Sequence, residues 1–152
     1  MLRLALYQPD IPGNTGTMLR MAACLGVAVD IIEPAGFDVS DRHLRRSGLD
    51  YLDQAAITRH RSWNAFEGWR REARLRLVLA TTAGALPYTG FAFADGDCVL
   101  MGRESAGVPE AVHAAADARI VVPIRAGMRS LNVAVAAAMI LGEGLRQTRG
   151  YA

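Results

Sequence analysis

Residues 102–109, GRESAGVP, follow the apolar run DCVLM of 97–101, and the same pattern returns where ARIVVPI (118–124) runs into a glycine-bearing loop closing on Ser130, Leu131 and Asn132. Short apolar runs that break into glycine or proline read as buried parallel strands whose ends leave backbone open to close approach. Ligands bind at such strand ends in open α/β sheets. The stretch from Gly102 to Asn132 therefore reads as successive edges of one pocket.

Outward from it, Arg3–Tyr7 reads as a first strand, and QPDIPGNTG (8–16) is rich in turn formers and is expected to form a loop. From Thr15 the apolar residues Met18, Leu19, Ala22, Ala23 and Leu25 recur at helical spacing, and Gly26 supplies a stop. VAVDIIEP (27–34), AAITRH (55–60) and LRLVLATT (75–82) read as further strands. A short helix is expected from a cap at Ser40 or Asp41 through Arg46, ended by Gly48. SWNAFEGWRREA (62–73) reads as a helix with Trp63, Phe66 and Trp69 on one side, and a short helix begins at about Pro109. The segment from Ser130 to Gln147 is alanine-rich and apolar on nearly every face, so as a helix it needs burial on more than one side. The alternation predicts an α/β fold with a mostly parallel sheet flanked by helices.

With 152 residues, 51% of them hydrophobic, the chain is expected to form a single domain over 1–152. No apolar run reaches membrane-spanning length, and MLRLALYQPD lacks the pattern of a signal peptide, so a cytoplasmic protein without a membrane partner is expected. Cys24 and Cys98 show no CxxC spacing and read as small core residues, and three scattered histidines suggest no metal site. The net charge is +2, and all 17 basic residues are arginine, whose planar fork suits phosphate. Many of these arginines lie between 42 and 76 with acids interspersed, which fits a solvated face as well as a nucleic-acid footprint.

The glycines do not match a dinucleotide or triphosphate cradle, since GNTG lacks the GxGxxG spacing and no GxxxxGK occurs. A ligand with adenosine but no phosphates, such as S-adenosylmethionine, suits the three edges, although composition alone does not select it. A nucleophile elbow at Ser105 needs GxSxG, but Arg103 stands where the first glycine belongs, and His113 is only a short helix away. The bland readings are a helix-start carboxylate for Glu104 and turn residues for Gly102 and Gly107.

Taken together, Asn14-Thr15-Gly16 with Arg20, then GRESAGVP, then VPI with SLN heading an alanine-rich helix resemble the three motifs of the SPOUT ribose methyltransferases, essentially end to end. RHLRRSGLDYLD, with TRH soon after, is similar to one branch, the tRNA (cytidine/uridine) 2'-O-methyltransferases acting on the wobble nucleotide. The resemblance implies a C-terminal deep trefoil knot, the SPOUT fold, against the general rarity of knots. It implies a homodimer, with the last helix packed against its mate and each pocket bordered by both chains. The cofactor S-adenosyl-L-methionine is then expected against Leu79, Ala80 and Thr81, against Met101 and Gly102, and against Val122, Ile124, Ser130 and Leu131. Asn14, Arg20, Glu104, Ser130 and Asn132 match the polar constellation around the ribose.

Each has a plainer alternative: Asn14 as a turn residue or cap, Arg20 as a surface arginine, Ser130 as an N-cap, Asn132 as a partner of local backbone. A guanidinium is effectively always protonated, so Arg20 is expected to stabilise alkoxide charge while Glu104 or water takes the hydroxyl proton. Arg45, Arg46, Arg59 and His60 are candidates for gripping a tRNA anticodon stem-loop, with a tRNA-Leu subset as substrate. Ala134, Val135 and Gly142 depart from what many relatives carry, which leaves RNA positioning less defined than the chemistry. The competing readings are a ribose methyltransferase for another RNA site, a noncatalytic RNA-binding module, and a nucleotide-sensing protein independent of RNA. The short length, with the chain opening on its first strand, speaks against a large-ribosomal-RNA enzyme with an added N-terminal domain.

Overall fold

The computed structural model describes residues 1–38, 55–83 and 86–152. The strands are β1 (Arg3–Tyr7), β2 (Ala28–Ile32), β3 (Ile57–His60), β4 (Arg76–Ala80), β5 (Leu86–Pro87), β6 (Asp97–Met101) and β7 (Ala118–Val121). The helices are α1 (Pro12–Leu25), α2 (Trp63–Glu72), α3 (Glu110–Ala115) and α4 (Val133–Thr148). The strands form one sheet in the order β3-β2-β1-β6-β4-β7-β5, and every pairing is parallel. A parallel sheet must be covered on both faces, and the central strands are accordingly apolar throughout: Asp97–Met101 is buried at every position.

Side chains that alternate along the strands divide the interior in two. On one face Leu4, Leu6, Val29, Ile31, Val99 and Ile120 pack with Met18, Leu19 and Ala22 of α1 and with Ala137, Ile140, Leu141 and Leu145 of α4. On the other, Ala5, Leu77, Leu79 and Leu100 pack with Phe66 of α2 and Val112 of α3, with Trp63 and Trp69 against the edge of that cluster. Gly144 lets α4 settle on the sheet, since a Cβ there would lie 2.7 Å from a Leu2 methyl.

The first helix begins earlier than its apolar spacing predicts, at Pro12 rather than Thr15. Proline is favoured in the first turn, where its missing N–H has no intrahelical partner to lose. Asn14 therefore sits on the first turn of α1, not in a loop. The helix closes at Gly26, φ 68°, with the Val27 amide donating to Ala22 O at 2.9 Å. Cys24 is exposed on this helix, against the expectation of a core residue, while Cys98 is buried in β6. The last helix starts at Val133, not Ser130, because the Asn132 side chain caps it. β5 is only two residues long and carries no period for a pattern to reveal. The expected helix through Arg46 lies outside the described residues.

Candidate functional site

The C-terminal ends of β4, β6 and β7 converge with the start of α1 and the cap of α4 around a cavity of about 530 Å3. Ala80, Thr81 and Thr82 line it after β4, Met101 and Gly102 at the end of β6, and Val122, Ile124, Ser130 and Leu131 after β7. Asn14 and Asn132 stand at its polar side with Glu104, and Val133, Ala136 and Ile140 of α4 add apolar wall. The crossing of chain order at β4, β6 and β7 brings the three loop edges together, as the general rule for open sheets anticipates.

The GRESAG turn owes its glycines to its own geometry. Arg103 and Gly107 exchange both backbone hydrogen bonds at 2.9 Å, so the chain doubles back and projects Glu104, Ser105 and Ala106 at the cavity. A Cβ on Gly102 would lie 3.0 Å from the Gly107 Cα and carbonyl carbon, and Gly107 holds φ at 63°. Ser105 is no elbow nucleophile, since its hydroxyl donates to Asp10 Oδ2 and His113 of α3 is engaged by Arg119 of β7.

Glu104 faces a second carboxyl. The Asp10 amide donates to Glu104 Oε2 at 3.2 Å, which brings the two carboxyl groups into one cluster, with Asp10 Oδ1 and Glu104 Oε1 both buried and without a hydrogen-bond partner. Burial, followed by the contact with Asp10, pushes the Glu104 carboxyl above its usual range. Asp10 moves the other way, held down first by its contact with Glu104 and then by the Ser105 hydroxyl and Arg103. Asp10 carried no signal in the sequence beyond its place among turn formers. Arg103, another residue the sequence did not single out, lines the cavity and donates to Gln8 Oε1 at 3.3 Å.

Asn132 links two roles. Its Oδ1 accepts from the Ala134 and Val135 amides at 2.8 and 3.3 Å, capping α4, and its Nδ2 donates to Asn14 Oδ1 at 3.0 Å. Two expected site residues lie elsewhere. Leu79 has no exposed surface and belongs to the core beside α2, because the alternation of β4 turns it away from the cavity. Arg20 is on the exposed side of α1 and does not line the cavity of its own chain.

The residues expected to grip RNA separate as well. Arg45 and Arg46 lie outside the described residues. Arg59 is at the surface with its Nε 2.6 Å from Glu33 Oε1. His60 is corrected from a surface residue to an interior one: it is 7% exposed, with Nε2 2.9 Å from Asp30 Oδ1 and its ring against Phe66 and Trp69. Asp30 is fully buried and also takes a bidentate contact from Arg3 at 2.8 and 3.1 Å, so the His60 ring completes a hydrogen-bonded cluster around this carboxylate inside the fold. The central arginines are likewise divided: Arg70 pairs with Glu67 and Asp117, and Arg76 with buried Asp97, leaving fewer of them for a partner. Among the described residues no cluster of metal-ligating side chains is present, and no helix is long and apolar enough to cross a membrane.

Comparison with known proteins agrees with this architecture. The model of the SpoU rRNA Methylase family matches residues 1–142. A tRNA (cytidine(34)-2'-O)-methyltransferase of Beijerinckia indica subsp. indica is 67% identical over 149 residues, spanning 98% of this chain and 93% of that protein. A solved structure described as "Structural insights into the 2-OH methylation of C/U34 on tRNA" superposes with a TM-score of 0.91 at 38% identity, covering 97% of this chain and 95% of that one. The SpoU methyltransferase AviRb from Streptomyces viridochromogenes, in complex with AdoMet, gives a TM-score of 0.89 at 29% identity over 97% of this chain and 60% of that one.

Proposed function

Because the chain belongs to the SpoU rRNA Methylase family, we propose that its cavity binds S-adenosylmethionine and that the enzyme methylates the ribose 2'-oxygen of the wobble nucleotide, position 34, in tRNA. The observation that carries this reading is the cavity at the ends of β4, β6 and β7, apolar inside and edged by Asn14, Glu104 and Asn132. Its size is that of a small-molecule site. Its residues fit an adenosine ligand without phosphates: loop backbone is bare at Gly102, and the buried Glu104 Oε1, which has no hydrogen-bond partner, stands at the polar side.

When bound, S-adenosylmethionine supplies a methyl group whose bond to sulfur breaks, leaving the electron pair on sulfur, as the ribose oxygen bonds the carbon. The chain's own work is to hold two reactants in line and to take up one proton. The apolar floor from Met101, Val122 and Ile140 keeps water out. Ser130 and Leu131 close the edge after β7. Asn14 and Asn132, locked to each other, orient the ribose, and Glu104 in its ionised form accepts the hydroxyl proton. Arg20 does not border its own cavity, so its stabilisation of developing alkoxide charge is assigned to the junction between two chains.

A homodimer is the state this proposal requires. Leu131, just before α4, and Val135 and Met139 on it expose an apolar strip at 39%, 49% and 39%, which supports burial against a second copy. The interleaving of β4, β6 and β7 out of chain order supports a trefoil knot in the C-terminal part. The substrate contact is the anticodon stem-loop, gripped by Arg45, Arg46 and exposed Arg59, with a tRNA-Leu subset as substrate and the cytoplasm as its location.

Transfer of a labelled methyl group from S-adenosylmethionine into total tRNA, mapped by nuclease digestion and mass spectrometry, tests this. A 2'-O-methyl group at position 34 is expected. Cofactor binding without transfer into any tRNA would refute the proposed substrate.

A further inference from the structure

Asp10 is an acid set against the cavity residue Glu104 that the proposed mechanism leaves without work. Its backbone amide donates to Glu104 Oε2 at 3.2 Å, its Oδ2 accepts from the Ser105 hydroxyl, and Arg103 Nε stands 4.0 Å from the same oxygen. Asp10 Oδ1, Glu104 Oε1 and Arg103 Nε are three of the four buried side-chain polar atoms without a hydrogen-bond partner among the described residues. Unused hydrogen-bonding capacity is thus concentrated in one cluster beside the cavity, where buried polar groups are ordinarily satisfied.

The loop that carries Asp10 is pinned on its other side. Gly36 donates its amide to Pro9 O at 2.8 Å and packs so closely that a Cβ on it would lie 2.8 Å from Asp10 Cβ. Gln8 holds φ at 42°, a left-handed conformation costly for a residue with a side chain, as the chain leaves β1. Such strain persists where the surroundings over-determine it. Two residues after Asp10, Pro12 opens α1 and sets the place of Asn14.

We propose that Asp10 is the positioning residue of Glu104, holding its carboxyl at the cavity and sharing one proton with it. The inference rests on the reading of Glu104 as proton acceptor. Ionised carboxylates only accept, so a proton held by the pair gives the partnerless Asp10 Oδ1 and Glu104 Oε1 the donor that the surrounding side chains do not supply. The pair then titrates in two steps that belong to it jointly. Among the described residues, the charged groups at Glu104 are Asp10, from the loop after β1, and Arg103, from its own loop; across the cavity α1 and α4 present the neutral amides of Asn14 and Asn132. The negative charge of Asp10 adds to burial in raising the proton affinity of Glu104, and makes it a stronger base once ionised.

The test uses the full-length protein with 13C-labelled carboxyl groups, the Glu104 signal being assigned by its loss in Glu104→Gln. In Asp10→Asn the charge disappears, and the new amide can donate to the Glu104 carboxylate while its oxygen still accepts from Ser105. The Glu104 titration is expected to fall by about one pH unit, and the acid limb of kcat/KM for tRNA methylation to move with it. Asp10→Ser, which removes the charge with less bulk, must shift the titration in the same direction. A Glu104 titration unmoved in both folded variants would overturn the proposal, even if their thermal stability fell. The NMR titration needs neither RNA nor methyl donor. Methylation absent from every tRNA, with the titration shifted, overturns only the substrate reading and supports the pairing; methylation at position 34 with an unmoved titration overturns the pairing alone.

Discussion

Asn132 Nδ2 donates to Asn14 Oδ1 at 3.0 Å, joining the cap of α4 to the first turn of α1 across 118 positions of the chain. The opposite atom of the same amide, Oδ1, caps α4 through the Ala134 and Val135 amides. One planar group therefore sets the start of the last helix and the polar side of the cavity together.

Replacing it separates the two. Asn132→Ala loses the cap and the tie to Asn14, a cost of about 1–2 kcal/mol. Asn132→Ser retains a hydroxyl suited to the cap and should recover most of the melting temperature without recovering methyl transfer. Thermal unfolding read beside turnover checks this; equal recovery of both would mean that Asn132 serves only the helix.

Glu104→Gln should be more stable than the parent at neutral pH while losing activity. A carboxyl whose folded-state proton affinity is raised contributes stability that is complete below its unfolded value near 4.5 and lost as pH rises through the folded value. The glutamine has no such loss. The stability gap between variant and parent, followed by denaturant unfolding, should therefore narrow as pH falls towards 4.5.

The two cysteines should differ in reactivity. Cys24 is exposed, whereas burial pushes the Cys98 thiol well above its usual range and keeps it from forming the nucleophilic thiolate. A thiol-reactive chromophore should titrate a single group in the native protein, with the second appearing only in denaturant. Two fast equivalents from the native state would contradict the placement of Cys98 in β6.

Gly102→Ala tests the doubled-back turn. Its Cβ would meet the Gly107 backbone at 3.0 Å, and backbone cannot swing aside as a flexible side chain can. Overpacking of this kind costs about 1–3 kcal/mol. Calorimetry should show S-adenosylmethionine affinity falling by ~10-fold or more, as 1.4 kcal/mol is tenfold. Unchanged affinity would place the ligand away from this edge.

A charge on the exposed strip of α4, Val135→Glu or Met139→Glu, should weaken self-association while leaving the monomer folded, since 49% and 39% of those residues are already open in the single chain. Sedimentation across a concentration series should show dissociation at ~30-fold higher concentration, the effect of losing about 2 kcal/mol at an apolar contact. An unchanged sedimentation coefficient would exclude α4 as the contact.

Most element types, and the loops after β6 and β7, are written in local sequence. Apolar runs broken by glycine or proline marked β6 and β7 because a buried parallel strand has no polar face to show, and helical spacing marked α1 and α2 because 3.6 residues per turn leave a local record. The GRESAG glycines were legible for the same reason: both requirements, a bare Cα at Gly102 and a left-handed φ at Gly107, lie within one turn of chain. Long-range packing sets the rest: β4 lies between β6 and β7, Leu79 turns into the core, His60 is held inside beside Asp30, and Asp10 meets Glu104 while Asn14 meets Asn132. Those outcomes join residues between 21 and 118 positions apart, or depend on which face of a strand the sheet buries, and no local pattern encodes either. They are set when the two faces of the sheet are covered and every buried charge must find a partner.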